Sequence, residues 1–178
     1  MSIPADPQWV KLALDLNTFD PRRFGAYVAR ARREGIRLTT FDELMDTPAH
    51  RRTLYELNRT CSADIPERGE FHTFDEYLVH RFDTPSYDPR GIVIALDGDT
   101  WVGMAATSHH DGHLFNEMTG VLAGYRGRGL SIAMKTIGTR FAGLHGAHRI
   151  RTVHHPANTN AIAMNRKMGF VNADWPDP

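Results

Sequence analysis

Val121-Leu122-Ala123-Gly124-Tyr125-Arg126-Gly127-Arg128-Gly129-Leu130-Ser131 is the stretch on which the reading of this chain turns. An apolar strand end gives way to a loop holding Gly124, Gly127 and Gly129, and then to the start of an amphipathic helix. Glycine has no Cβ, so the backbone can approach a ligand closely. The first N–H groups of a helix have no internal partner. With the helix dipole they form an anion site, and Arg126 and Arg128 add positive charge. The chemistry points to a diphosphate or a similar anion. The plainer reading is a glycine-rich turn capping a helix, with two solvated arginines. No Gly-Lys-Ser/Thr ending makes this a P-loop. Neither the glycine spacing nor a following acidic residue fits a dinucleotide fingerprint.

On the C-terminal side, Leu130, Ala133, Met134, Ile137, Phe141 and Leu144 recur at helical spacing and Gly146 stops the run. Residues 149–153 read as a short strand, residues 160–168 as a helix ended by Gly169, and residues 170–175 as a last extended piece. On the N-terminal side, residues 92–96, 101–107 and 113–121 are strands separated by turns at Asp97-Gly98-Asp99 and Asp111-Gly112, an antiparallel meander. Asp46-Thr47-Pro48 opens a helix carrying Leu54, Leu57 and Cys61. Thr73 with Glu76 has capping-box spacing and opens another, with Tyr77, Leu78 and Phe82. Residues 63–72 between them read as an exposed loop. At the start, Val10, Leu12, Leu14 and Leu16 alternate as a strand. Asp20-Pro21 begins a helix ended by Gly35, and residues 36–40 make a further strand.

The 178 residues suit one domain with a sizeable core, at 41% hydrophobic and 24% charged. Lys plus Arg and Asp plus Glu are 21 each, a balance that argues against nucleic acid as partner. The single cysteine, Cys61, forms no internal disulfide, and nothing beside it activates a nucleophile. Residues 1–9 are short and polar, and no run approaches the roughly 18 apolar residues that span a bilayer. The expectation is a cytoplasmic protein with no membrane partner.

The chain resembles the GNAT acetyltransferase superfamily. Val121 with Arg126-Gly127-Arg128-Gly129-Leu130-Ser131 is similar to its pyrophosphate motif. Asn158 through Asn165 to Gly169-Phe170 is similar to its second motif, in the expected order. The likeness covers roughly residues 36–175. It is nearest to the C-terminal half of tandem, mycothiol-synthase-like GNAT proteins, through Leu14-Asp15-Leu16, residues 19–24, Gly35-Ile36-Arg37, Thr119-Gly120-Val121 and Met164-Asn165. The resemblance implies an α/β (α+β) GNAT fold: a mixed, mostly antiparallel sheet with a splayed parallel strand pair and flanking helices. Residues 1–35 are then a strand–helix extension, like the end of a preceding unit, and 36–178 the acyltransferase domain. Only eight residues follow Phe170, enough for one closing strand where the fold has two. Residues 10–16 are expected to fill the gap, within the chain or across a homodimer.

The resemblance also implies acetyl-CoA, or another short acyl-CoA, as donor to a primary amine, of a small molecule or a peptide N-terminus, by direct transfer through a tetrahedral intermediate. Thr119, Gly120 and Val121 would meet the pantetheine arm. The amides of Gly127, Arg128, Gly129, Leu130 and Ser131 would hold the diphosphate beside Arg126, and Asn158 and Asn165 would contact the donor from the second motif. Many members carry a tyrosine acid at the position of Asn165, and an amide cannot replace it. Tyr125 and water are the candidates, water the better because Tyr125 lies in the loop. Alternation puts Glu117 on the side of Thr119 and Val121, as general base or as a solvent-facing carboxylate. His109, His110, Asp111 and His113 surround a turn and read as solvated, with no metal site. His154 and His155 read as a hydrated strand end. The alternative function is an acyl-CoA-binding or partner-binding module without catalysis. Acceptor specificity is expected around residues 55–90, where Glu67, Arg68, Glu70 and His72 are polar.

Overall fold

The computed structural model describes residues 9–66 and 68–175. Glu67 and the polar opening before Trp9 lie outside them. The strands are β1 (Val10–Asp15), β2 (Ile36–Thr40), β3 (Ile92–Asp97), β4 (Thr100–His110), β5 (His113–Val121), β6 (Arg149–His154) and β7 (Val171–Asn172). The helices are α1 (Gly25–Arg33), α2 (Pro48–Ser62), α3 (Phe74–Arg81), α4 (Leu130–Gly138), α5 (Phe141–His145) and α6 (Thr159–Lys167). One sheet takes all seven strands in the order β2-β3-β4-β5-β6-β1-β7. Only β5 and β6 run parallel; the other neighbours are antiparallel. The expected mixed sheet with one parallel pair and flanking helices is what the chain forms.

β3 is buried along both faces, which explains its near-continuous apolar run. Ile92, Ile94 and Leu96 pack with Leu54 and Leu57 of α2 and Tyr77 of α3. Val93 and Ala95 pack with Ala31 of α1 and Leu130 and Met134 of α4. The helix starts follow their caps. Thr47 Oγ1 accepts from His50 N at 3.2 Å. Thr73 and Glu76 form the full reciprocal box, a cap of the kind that contributes about 1 kcal/mol.

β1 lies inside the sheet. It pairs antiparallel with β6 from Val10↔His154 to Asp15↔Arg149, and its other edge takes β7 at Leu12↔Asn172 and Ala13↔Val171. The segment read as filling a gap therefore does so within the chain. Leu12 and Leu14 sink into a core with Leu114, Ile150, Met168 and Phe170.

Two stretches depart from the sequence reading. The helix expected through Leu144 breaks between Gly138 and Phe141. There Thr136 Oγ1 bonds the Ile132 carbonyl and Thr139 Oγ1 the Thr136 carbonyl, and such back-bonding beside a glycine weakens a helix. The last extended piece pairs only at Val171–Asn172. Beyond it, the Trp175 carbonyl accepts from Lys11 Nζ at 2.8 Å.

Candidate active site

The site is built from the way two parallel strands part. β5 and β6 share a ladder only at Leu114↔Ile150 and Phe115↔Arg151. One residue further, Thr152 Oγ1 donates to the Asn116 carbonyl at 3.3 Å, and beyond this apex the strands diverge around a cleft of about 640 Å³. Past Phe115 the β6-side edge of β5 has no ladder partner, so alternate backbone amides and carbonyls open onto the cleft. Thr119, Gly120 and Val121 line one wall and Thr152 to His155 the other. Asn158, which precedes α6, and Asn165 within it close one side, and Ser131 and Lys135 of α4 the other.

At the mouth, Gly127 and Gly129 have φ of +74° and +79°, and Gly129 caps α4 in the left-handed region. A Cβ on Gly129 would stand 2.4 Å from the Tyr27 ring of α1, so the turn needs glycine twice over, for its dihedral and for its neighbour. Among the described residues, no backbone N–H of residues 127–131 donates to a protein group. Those donors are available to an anion. Leu130 is buried in the core. Arg128 turns back to the Gly124 carbonyl at 3.1 Å, so its contribution to the cleft is its amide. Arg126 stays at the mouth, with Nε on the Val121 carbonyl at 3.1 Å and Nη2 on Asp64 at 2.9 Å.

At the apex Lys135, Thr152 and Asn165 are buried, and Asn116 and His154 half-buried. Asn165 is 1% exposed. Its Nδ2 donates to His154 Nε2 at 2.8 Å and to the Ala161 carbonyl at 3.0 Å, while its buried Oδ1 has no protein partner. His154 therefore accepts at Nε2 and is neutral. Burial, with the charge of Lys135 behind it, pushes its pKa down to about 4. Lys135 is 6% exposed, and burial pushes its pKa down to about 7. Its Nζ donates to Asn116 Oδ1 and lies 4.9 Å from the centre of the Phe170 ring.

A match to the model of the GNAT acetyltransferase family spans residues 51–170. The chain belongs to the GNAT acetyltransferase family. It is 31% identical over 145 residues to a mycothiol acetyltransferase of Thermobispora bispora, covering 78% of this chain and 47% of that protein. The chain thus spans about half the length of the curated relatives it matches. A GCN5-related N-acetyltransferase from Sphaerobacter thermophilus superposes with a TM-score of 0.69 at 20% identity, over 94% of this chain and 50% of that one. A tandem GNAT protein of the clavulanic acid biosynthesis pathway does so at 0.65 and 19%, over 96% and 51%. The last two likenesses bear on the fold.

Within the GNAT fold, the expectation for Glu117 needs correction. Glu117 does not share a face with Thr119 and Val121. The β4–β5 register passes from Ala106↔Met118 to Thr107↔Asn116, which leaves Glu117 as the extra residue of a bulge. The bulge breaks alternation. Asn116 reaches Thr107 Oγ1 and Lys135 on the α4 side, and Val121 packs with Met134 there. Met118 packs against the α2 cluster, and Glu117 accepts from Ser108 Oγ on that same side. Glu117 and Met118 stand in the wall between the cleft and a second cavity of about 480 Å³ under α2 and α3. Arg68, Glu70 and His72 line that second cavity with Phe71, Tyr77 and Arg81, within the segment expected to set specificity.

Other expectations resolve individually. Tyr125 donates to Asp97 Oδ2 at 2.7 Å, away from the apex. Cys61 is buried with its pKa raised to about 11 by burial, an unreactive thiol. It packs where a Cβ on Gly120 would come within 2.5 Å of it. His154, read as a hydrated strand end, is part of the apex network instead. His155 stays at the rim with its ring against Trp9. His109 stacks on His145 and His110 on His113, in two separate pairs. Among the described residues no helix is long and apolar enough to cross a membrane.

Sequence reasoning passed over Lys135 and Asn116. A signal for Lys135 existed: it lies four residues after Ser131, on the same face of α4.

Proposed function

We propose that this chain is an acyl-CoA-dependent N-acyltransferase that moves an acetyl or other short acyl group to a primary amine. The observation that carries this is the splayed cleft with unspent amides of residues 127–131 at its mouth. Those residues fit the donor: glycine backbone and a helix start for the diphosphate, an open strand edge for the pantetheine amides, and an orphaned buried acceptor on Asn165 beyond. Ser131 Oγ and Arg126 supplement the amides. Thr119, Gly120 and Val121 present the strand edge, and Asn158 holds the far side. The bound thioester supplies an activated acyl carbon. A β5 amide near Val121 polarises its carbonyl, and fixed backbone donors of this type contribute strongly in a site closed to water.

The amine enters through the second cavity and meets Glu117 in the shared wall. Glu117 takes the proton that the nitrogen sheds as it bonds to carbon. The acceptor class is a small-molecule amine or a peptide N-terminus, in the cytoplasm. Residues 1–35 supply the strand that a preceding unit would contribute, and 36–178 carry the transferase site. With both edges of β1 engaged inside the chain, a homodimer through that strand is not needed to complete the sheet.

Titration calorimetry with acetyl-CoA should give saturable binding; no binding removes the assignment. In a thiol-release assay against an amine panel, Glu117→Gln should lower turnover about a hundredfold with donor affinity unchanged. Equal turnover at every pH takes Glu117 out of the mechanism. Asn165, an amide where an acid is expected, favours one rival: a module that binds acyl-CoA without transfer. Donor binding with no thiol release from any amine would select it.

A further inference from the structure

The apex holds a charge that donor binding does not use. Lys135 Nζ has one hydrogen-bond acceptor, Asn116 Oδ1, and among the described residues no carboxylate forms an ion pair with it. An ammonium buried without a counter-ion destabilises a fold. Groups perturbed in this way cluster where a reaction brings in the opposite charge. In the transfer proposed above, that charge arises on sulfur. The diphosphate site is at the mouth, so the thioester end extends toward the apex, where Lys135 stands one turn of α4 deeper than Ser131.

The neighbours narrow the choice of acid. Both Nδ2 hydrogens of Asn165 are committed, to His154 Nε2 and to the Ala161 carbonyl. His154 is neutral and accepts at the nitrogen that faces Asn165. Tyr125 is tied to Asp97 outside the cleft. The titratable groups sharing the cavity with Lys135 are His154 on β6, Glu117 on β5 and Cys61 on α2. His155, Arg68, and Arg126 paired with Asp64 also line it, and α6 presents only uncharged residues, Asn160, Ala161, Met164 and Asn165.

We propose that Lys135 is the acid of the transfer, its ammonium protonating the sulfur that leaves the acyl group. This rests on the acyl-CoA reading above. The amine nitrogen adds to the acyl carbon, the carbonyl π pair moving to oxygen; as that pair returns, the C–S bond breaks and its electron pair goes to sulfur. Sulfur takes a proton from Nζ and departs as thiol, leaving Lys135 neutral. The proton shed by the nitrogen goes to Glu117 and on to water, and solvent reprotonates Nζ. Base and acid then approach from opposite faces of β5, Glu117 from the α2 side and Lys135 from the α4 side. A pKa brought down by burial to about 7 lets the lysine give up and regain a proton near neutral pH.

The test compares CoA with desulfo-CoA, which lacks the thiol, using the intact chain and its Lys135→Met and Lys135→Gln variants. Methionine fills the volume without charge, and glutamine keeps a donor for Asn116. Thiolate absorbance and calorimetry report the pKa of the bound CoA thiol. The wild-type chain should lower it, both variants should abolish the lowering, and desulfo-CoA affinity should stay within about threefold. Turnover of both variants should fall about a hundredfold or more at unchanged KM for acetyl-CoA. An unaltered bound-thiol pKa in the variants, or turnover within a few-fold of wild type, overturns the proposal while leaving the transferase reading intact. A wild-type chain that binds neither ligand overturns both.

Discussion

The mouth and the apex of the cleft are made in opposite ways. The mouth is one continuous run, residues 126–131, and works through backbone: two left-handed glycines and a row of undonated amides. The apex is assembled from side chains on separate elements: Asn116 on β5, Lys135 on α4, Thr152 and His154 on β6 and Asn165 on α6. A backbone site tolerates changes of side chain but not of conformation. A side-chain site tolerates small shifts of backbone but not loss of one group. On the acyl-CoA reading proposed above, the division separates holding a donor from handling its chemistry, and it can be attacked from either side.

The largest loss of binding is expected at the mouth. Gly129→Val places a β-branched residue at φ +79° with its Cβ 2.4 Å from the Tyr27 ring. Valine is a severe outlier there, at a cost of about 1–3 kcal/mol. The first turn of α4 must shift, and with it the amides. Acetyl-CoA affinity should fall by roughly a hundredfold, about 2.7 kcal/mol, measured by calorimetry, with a lowered melting temperature. A variant that binds as wild type does would show that the mouth is not a backbone cradle.

At the apex the expected sign is the reverse for stability. The folded pKa of Lys135 lies below its ordinary value, so between about 7 and the usual lysine range the unfolded chain holds the extra proton. Stability therefore climbs as pH rises through that window, and below it the full penalty persists. Lys135→Met removes the penalty. It should be more stable by roughly 2–4 kcal/mol at neutral pH and lose the rise on the alkaline side, read by denaturant unfolding at several pH values. A variant that is less stable would mean that Lys135 holds the apex together as a structural strut.

The same division governs what could be read from the sequence. The mouth was legible because its glycines, arginines and helix start are neighbours in the chain, and each carries a local physical meaning. The meander and the caps at Thr47 and Thr73 followed from alternation and capping chemistry, whereas the place of β1 in the sheet was expected only from the family resemblance. The apex was not legible. Nothing local to Lys135 says that Asn116 will accept from it, because their meeting depends on how α4 packs across β5. The face of Glu117 was misread for a related reason. A bulge is a property of two strands in register, and alternation within β5 alone contains no trace of it. The break after Gly138 was written in Thr136, Gly138 and Thr139, yet apolar spacing through Leu144 outweighed it.

The smallest effect sharpens the contrast most. Arg126 acts at the mouth through its side chain, which is 46% exposed with its guanidinium shared between Asp64 and the Val121 carbonyl. An exposed pair of this kind contributes about 0–1 kcal/mol, so Arg126→Ala should hardly change the melting temperature. Acetyl-CoA affinity should drop about fivefold at low salt, and the deficit should shrink at high salt, where screening has already weakened the attraction. Calorimetry at two ionic strengths distinguishes this from a loss of fit, which salt would not relieve. If Arg126→Ala instead costs as much as Gly129→Val at every salt concentration, a side chain carries the mouth as well. The two ends of the cleft would then work by one principle, and the separation of holding from chemistry would not stand.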